Sequence, residues 1–211
     1  MAWIKTIDLS SAGNKLRTLY ERVAGPNSQI DNILQVHSLR PHTLVGHMTL
    51  YKNVLHHAEN ELPKWYLESI GVYVSMLNKC DYCVEHHKAG LDRLVGHHRG
   101  NVLAEALARH RWPTVEVEQV EFEERGEQKF AAGLPYAKKL TLAPHSVQQV
   151  DALNLREQGF SDGEVLELNQ VIAYFNYANR TVLGLGVEIA GETLGLSPSD
   201  EADEENWGHQ T

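Results

Sequence analysis

One stretch constrains this chain more than any other. Between Lys64 and Leu77, apolar side chains at Trp65, Leu67, Ile70, Val72, Val74, Met76 and Leu77 cover most of a helical circumference. A helix that is apolar almost all round belongs inside an assembly of other helices. A lone acid, Glu68, precedes an uncharged run to Asn78. A buried carboxylate is costly without a partner. The stretch therefore predicts a central helix with a polar group facing Glu68.

The next segment of the chain could supply that group. Asn78-Lys79 interrupts the helix, and a second helix is predicted from Cys80 or Asp81 to about Leu94. Cys80, Cys83 and His87 stand at i, i+3 and i+7, on one face of it. A cysteine in a first helical turn feels the positive end of the helix dipole, which favours thiolate. His87, one turn beyond Cys83, can act as its base. Glu68 lies ten residues before Asn78 and His87 nine after it, about 15 Å and 13 Å along their helices. If the helices fold back on each other, the two side chains reach similar height, and the carboxylate can orient the imidazole. The candidate relay is Glu68 to His87 to Cys83, with Cys80 as resolving partner. Tyr82 is expected to pack, or to line the mouth of the same pocket. Asn176, Asn179 and Arg180 are candidates to line it from the second half, although helix capping explains the asparagines equally well. His86 leaves the Cys83 face and is expected at a surface or subunit contact, as are His56, His57, His97 and His98.

The rest of the chain reads as helical scaffold. Ser10 or Ser11 is expected to cap a helix to about Ala24, with Leu16, Leu19, Tyr20 and Val23 on one face. Gly25-Pro26-Asn27 breaks it. Ile30, Ile33 and Leu34 form a short helix ending near Arg40, and Leu44, Val45, Met48, Tyr51, Leu55 and His56 repeat at helical spacing. Gly96 to Gly100 reads as a connection into a helix over 101–109. Residues 112–126 alternate Val with Glu and read as a short edge strand or an acidic surface excursion. Helical periodicity resumes over 128–140 and 147–158. Ser161 and Glu164 form a capping box opening a helix to Tyr177, and a last helix is expected over 179–194. No segment holds a sustained strand pattern, so the class is all-α. Leu67–Asn78 and Val165–Asn176 look alike, which reads as an internal duplication of a helical hairpin.

Composition excludes several function classes. With 211 residues, 42% of them hydrophobic, the chain can bury one sizeable core. The net charge is -9, with no basic stripe, which argues against nucleic acid as a partner. No apolar run is long enough to cross a membrane, and the first residues lack the apolar stretch of a secretory signal. A cytoplasmic location is expected. In a reducing compartment, an isolated C-x-x-C points to redox or metal chemistry. A zinc site would use Cys80, Cys83, His87 and His97 or His98, but no second ligand pair at zinc spacing completes the set. No metal or other cofactor is therefore expected, and there is no glycine-rich phosphate loop.

Glu68-x11-Cys80-x2-Cys83-x3-His87 resembles the signature of the AhpD-like alkylhydroperoxidases of the carboxymuconolactone decarboxylase superfamily. Lys139-Leu140-Thr141, Asp151, Gly159-Phe160-Ser161-Asp162, Tyr174-Phe175-Asn176 and Asn179-Arg180 are similar to its peroxidase-related branch. The resemblance implies one domain over 1–196, with repeats of helical hairpins near 41–110 and 127–195; the tail over 197–211 is polar and acidic, and is expected to be disordered on composition. It implies homotrimers or homohexamers that reduce hydroperoxides. Cys83 would attack the peroxide, Cys80 would condense with the sulfenic acid, and an external dithiol would restore the pair. The best-studied branch carries a further histidine between the cysteines, where this chain has Tyr82. Two other readings stay open: a redox sensor or binding module without turnover, and a lactone-decarboxylating enzyme that would not need the cysteines.

Overall fold

The computed structural model describes residues 2–113, 124–198 and 207–208, without the side chains of 124–127. Nine α-helices are present among the described residues, and no strand. They are α1 (Asn14–Val23), α2 (Asn32–Gln35), α3 (Pro41–Leu55), α4 (Lys64–Leu77), α5 (Asp81–Val95), α6 (His97–Ala108), α7 (Glu124–Leu142), α8 (Gln149–Glu157) and α9 (Asp162–Leu185). No helix among these residues is long and apolar enough to cross a membrane.

Helix α4 is the central element. It packs against α5, α6, α7 and α9 at once, and ten consecutive residues, Tyr66 to Ser75, are buried. Such enclosure needs close approach. A methyl group added at Gly71 would fall within the ring of Phe175 on α9. A second cluster joins Leu16, Leu19, Tyr20 and Val23 of α1 to Leu44 and Met48 of α3 and to Trp207. Arg22 lies 3.8 Å over the Trp207 ring. The acidic residues of the tail, and the 115–120 alternation, lie outside the described residues.

The reversal from α4 to α5 is a Schellman turn. Cys80 N–H donates to the Ser75 carbonyl at 2.9 Å and Lys79 N–H to that of Met76 at 3.1 Å, with Lys79 in the left-handed region at φ 57°. This turn makes Cys80 the N-cap of α5 and lays α5 back along α4.

Several boundaries differ from the sequence reading. Helix α1 begins at Asn14, not after Ser10 or Ser11. The Asp8 carboxylate holds the Ser10 hydroxyl at 2.7 Å and the Ser11 amide at 2.8 Å, closing a turn ahead of the helix. Helix α6 begins at His97, because Gly96 at φ 85° makes the break alone. Helix α9 runs unbroken through 176–179. Asn179 bonds Ser75 of α4 and Asn78 just past its end, while Asn176 bonds Thr141 and its own helix at Ile172. Neither asparagine caps a helix, and α9 ends at Gly186, in the left-handed region. The second half thus has no hairpin break matching that at 78–80.

Candidate active site

Helix α5 carries the thiols into the core. Cys80 is wholly buried and Cys83 almost so, and both are free. Glu68, projecting from α4, meets His87 across the hairpin, with Oε2 2.8 Å from Nδ1. This contact commits Nδ1 and leaves Nε2 as the imidazole's other working atom. Phe175 packs edge-on against the ring at 4.5 Å between centroids. Glu68, Cys83 and His87 line one cavity of about 50 Å³. That is room for a few waters, the scale of a peroxide group. Cys80 is not part of its lining.

Electrostatics separate the roles. Burial pushes the Glu68 carboxyl up, but His87, with His56 and Lys64, outweighs it, and the group sits below its ordinary value. Glu68 is therefore an anion beside an imidazole. The Cys80 thiol is lowered by the hydrogen bond from Cys83, against burial. Cys83 is raised by that same bond and by burial, opposed by the Asn179 amide. A hydrogen-bonded thiol pair loses its first proton readily and its second with difficulty. The two sulfurs therefore share one thiolate between them, and of the two it is Cys83 that faces the cavity.

The other candidates separate. Tyr82 lines the cavity, where its hydroxyl donates to Glu192 at 2.9 Å and accepts from the Ile33 amide at 3.2 Å. Asn179 sits behind Cys83, outside the lining. Asn176 and Arg180 are not brought to the cavity. Arg180 is exposed and donates to the Asn176 carbonyl at 2.9 Å. His86 is buried, contrary to the expectation of a surface position. Its ring stacks on Tyr82 at 4.4 Å and its Nε2 lies 3.6 Å from Glu192. His56 is buried too, edge-on to Tyr51. His97 is exposed and pairs with Asp92. Among the described residues no three His, Cys, Asp or Glu side chains are grouped as metal ligands.

The structure adds residues that the sequence reading did not single out for the site. His47 and Tyr51 of α3 and Tyr174 of α9 form part of the cavity or its wall. The segment after α9 forms a strap that adds Gly195, Leu196 and Ser197 to the lining. Glu192 pins this strap, accepting the Asn32 amide at 2.7 Å, the Asn32 side chain at 2.9 Å and the Tyr82 hydroxyl. Arg93 donates to the carbonyls of Leu194 and Gly195. The one signal for His47 was a histidine on an otherwise apolar face of α3. Glu192 had none, since its partners lie far away in sequence.

No family model matches the sequence, and no curated protein matches it. Solved structures do match. A peroxidase-related protein with an alkylhydroperoxidase AhpD core, from Ralstonia eutropha JMP134, is similar with a TM-score of 0.70 at 23% identity, over 90% of this chain and 93% of that one. A peroxidase-related protein from Silicibacter sp. TM1040 is similar with a TM-score of 0.70 at 22% identity, over 90% and 92%. A variant of the debrominase Bmp8 in complex with 2,3,4-tribromopyrrole has a TM-score of 0.66 at 16% identity, over 89% and 91%. Across nearly its whole length, this chain has the fold of the AhpD-core proteins.

Proposed function

We propose that this protein is a cysteine-based peroxidase that reduces small hydroperoxides at the expense of an external dithiol. The observation that carries the reading is the 2.8 Å Glu68–His87 pair sharing a small cavity with Cys83. His87 takes the Cys83 proton, with Glu68 stabilising the imidazolium. The Cys83 sulfur then attacks the peroxide and becomes a sulfenic acid. Cys80 attacks that sulfur, water leaves, and the disulfide forms. A dithiol of the cytoplasm would reset the pair. The test is steady-state consumption of hydrogen peroxide or a small alkyl hydroperoxide with dithiothreitol as reductant. Multiple turnovers that vanish in C83S support the reading. Consumption no faster than that by dithiothreitol alone contradicts it.

A second reading is reductive dehalogenation. The cavity walls include the rings of Tyr82, Tyr174 and Phe175, and a debrominase shares the fold. In that reaction the dithiol is oxidised to a disulfide, carbon–bromine becomes carbon–hydrogen, and hydrogen bromide leaves. Bromide release from a bromopyrrole under the same conditions distinguishes the two.

A further inference from the structure

The cavity has a second polar side that this relay does not use. Tyr174 and His47, 4% and 3% exposed, both line it. The Tyr174 hydroxyl stands 3.5 Å from His47 Nε2, long for a hydrogen bond, so neither group is fully engaged by the other. His47 Nδ1 is buried with no hydrogen-bond partner. The ring of Tyr51 stacks on Tyr174 at 5.4 Å and fixes the plane of the phenol. A buried polar pair with spare hydrogen-bonding capacity is costly unless something occupies the space beside it.

The charge states fit an oxygen ligand. Burial, with His37 and His87 nearby, brings His47 down to about 3, so its ring is neutral. Burial, then the charge of Cys83, raises Tyr174 well above its ordinary value, so the phenol keeps its proton. Tyr174 and Cys83 line the same cavity.

Resting on the peroxidase reading, we propose that Tyr174, oriented by His47, is a further catalytic residue: its hydroxyl donates a hydrogen bond to the oxygen that leaves. In this step the Cys83 sulfur bonds to one peroxide oxygen as the O–O bond breaks. Sulfur is oxidised by two electrons and the peroxide is reduced. The departing alkoxide, or hydroxide from hydrogen peroxide, is held by Tyr174. It takes its proton from the His87 imidazolium, which received it from Cys83. His47, protonated at Nε2, donates to the phenol oxygen and turns the phenol proton toward the substrate.

Tyr174→Phe removes one oxygen and keeps the ring. Reduced wild type and Y174F would be reacted in parallel with hydrogen peroxide and with iodoacetamide, each product mapped to Cys83 by mass spectrometry. Alkylation breaks a carbon–iodine bond and needs no donor to an oxygen. The proposal expects Y174F to slow peroxide oxidation on the order of tenfold to a hundredfold with alkylation unchanged. His47→Gln should give a smaller loss of the same selectivity. An unchanged peroxide rate in Y174F, or an equal loss in both reactions, overturns the proposal. If wild-type Cys83 alkylates but ignores peroxide, the peroxidase reading itself fails, and this proposal with it.

Discussion

Glu68 Oε2 and His87 Nδ1 meet at 2.8 Å, although nineteen residues separate them in the chain. The contact joins the most enclosed helix of the fold to the helix that carries both thiols. It gives the buried acid its counter-group, and it gives the imidazole a fixed orientation toward the cavity.

Removing the charge of Glu68 is expected to affect both rate and stability. In Glu68→Gln the imidazolium loses its counter-ion, and single-turnover oxidation of the thiols should fall about tenfold to a hundredfold. The folded-state value of Glu68 lies below the ordinary 4.5, the neighbouring His87 overcoming burial. A carboxyl depressed on folding stabilises fully above its unfolded value, and this is lost as pH falls through the folded one. At neutral pH, E68Q should be less stable by about 1.5–3 kcal/mol. The gap should close as the pH drops below 4.5. Thermal unfolding of both proteins across that range checks this; a gap that persists in acid would assign the loss to packing instead.

This contact was legible in the sequence because it rests on helix geometry alone. Two helices of known rise, folded at Asn78-Lys79, bring residues ten and nine positions away to one level. The buried status of α4 was equally legible from its apolar circumference. What escaped depends on partners distant in the chain. Asn176 and Asn179 read equally well as helix caps, but their side chains are taken by Thr141, Ser75 and Asn78, and α9 continues. His86 reads as a surface residue until the strap of 187–197 covers it. Glu192 reads as one more acid near an acidic tail, and its contact with Asn32 spans 160 positions.

Glu192 is expected to hold the strap shut. Its side chain is 1% exposed beside His86. Burial pushes its carboxyl up, yet the neighbouring His86 imidazole and the hydrogen bond from Asn32 bring it below its ordinary value. Glu192→Gln keeps the shape but loses the charge, at a cost of about 1.5–3 kcal/mol. Hydrogen exchange of a peptide over 187–197 should accelerate in the variant, while α4 stays protected. Unchanged protection of the strap would mean that Arg93 and the surrounding packing suffice.

Gly71→Ala should damage the site through packing alone. The added methyl group has no space against Phe175, whose edge contacts the His87 ring. Both helices are buried there, so the ring must move. Overpacking of this kind costs about 1–3 kcal/mol. Urea unfolding should show that loss, and displacement of Phe175 should slow peroxide oxidation as well. Wild-type stability would mean that α4 and α9 separate more freely than their burial implies.

The central claim is that Cys80 and Cys83 form a dithiol poised for peroxide. The most direct measurement is the mass of the reduced protein before and after one equivalent of hydroperoxide, with no added thiol. A poised dithiol should lose about two mass units within seconds, mapped to a Cys80–Cys83 disulfide. Cys80→Ser should instead gain about 16, the sulfenic acid at Cys83. An unchanged mass, with both thiols free, would contradict the claim.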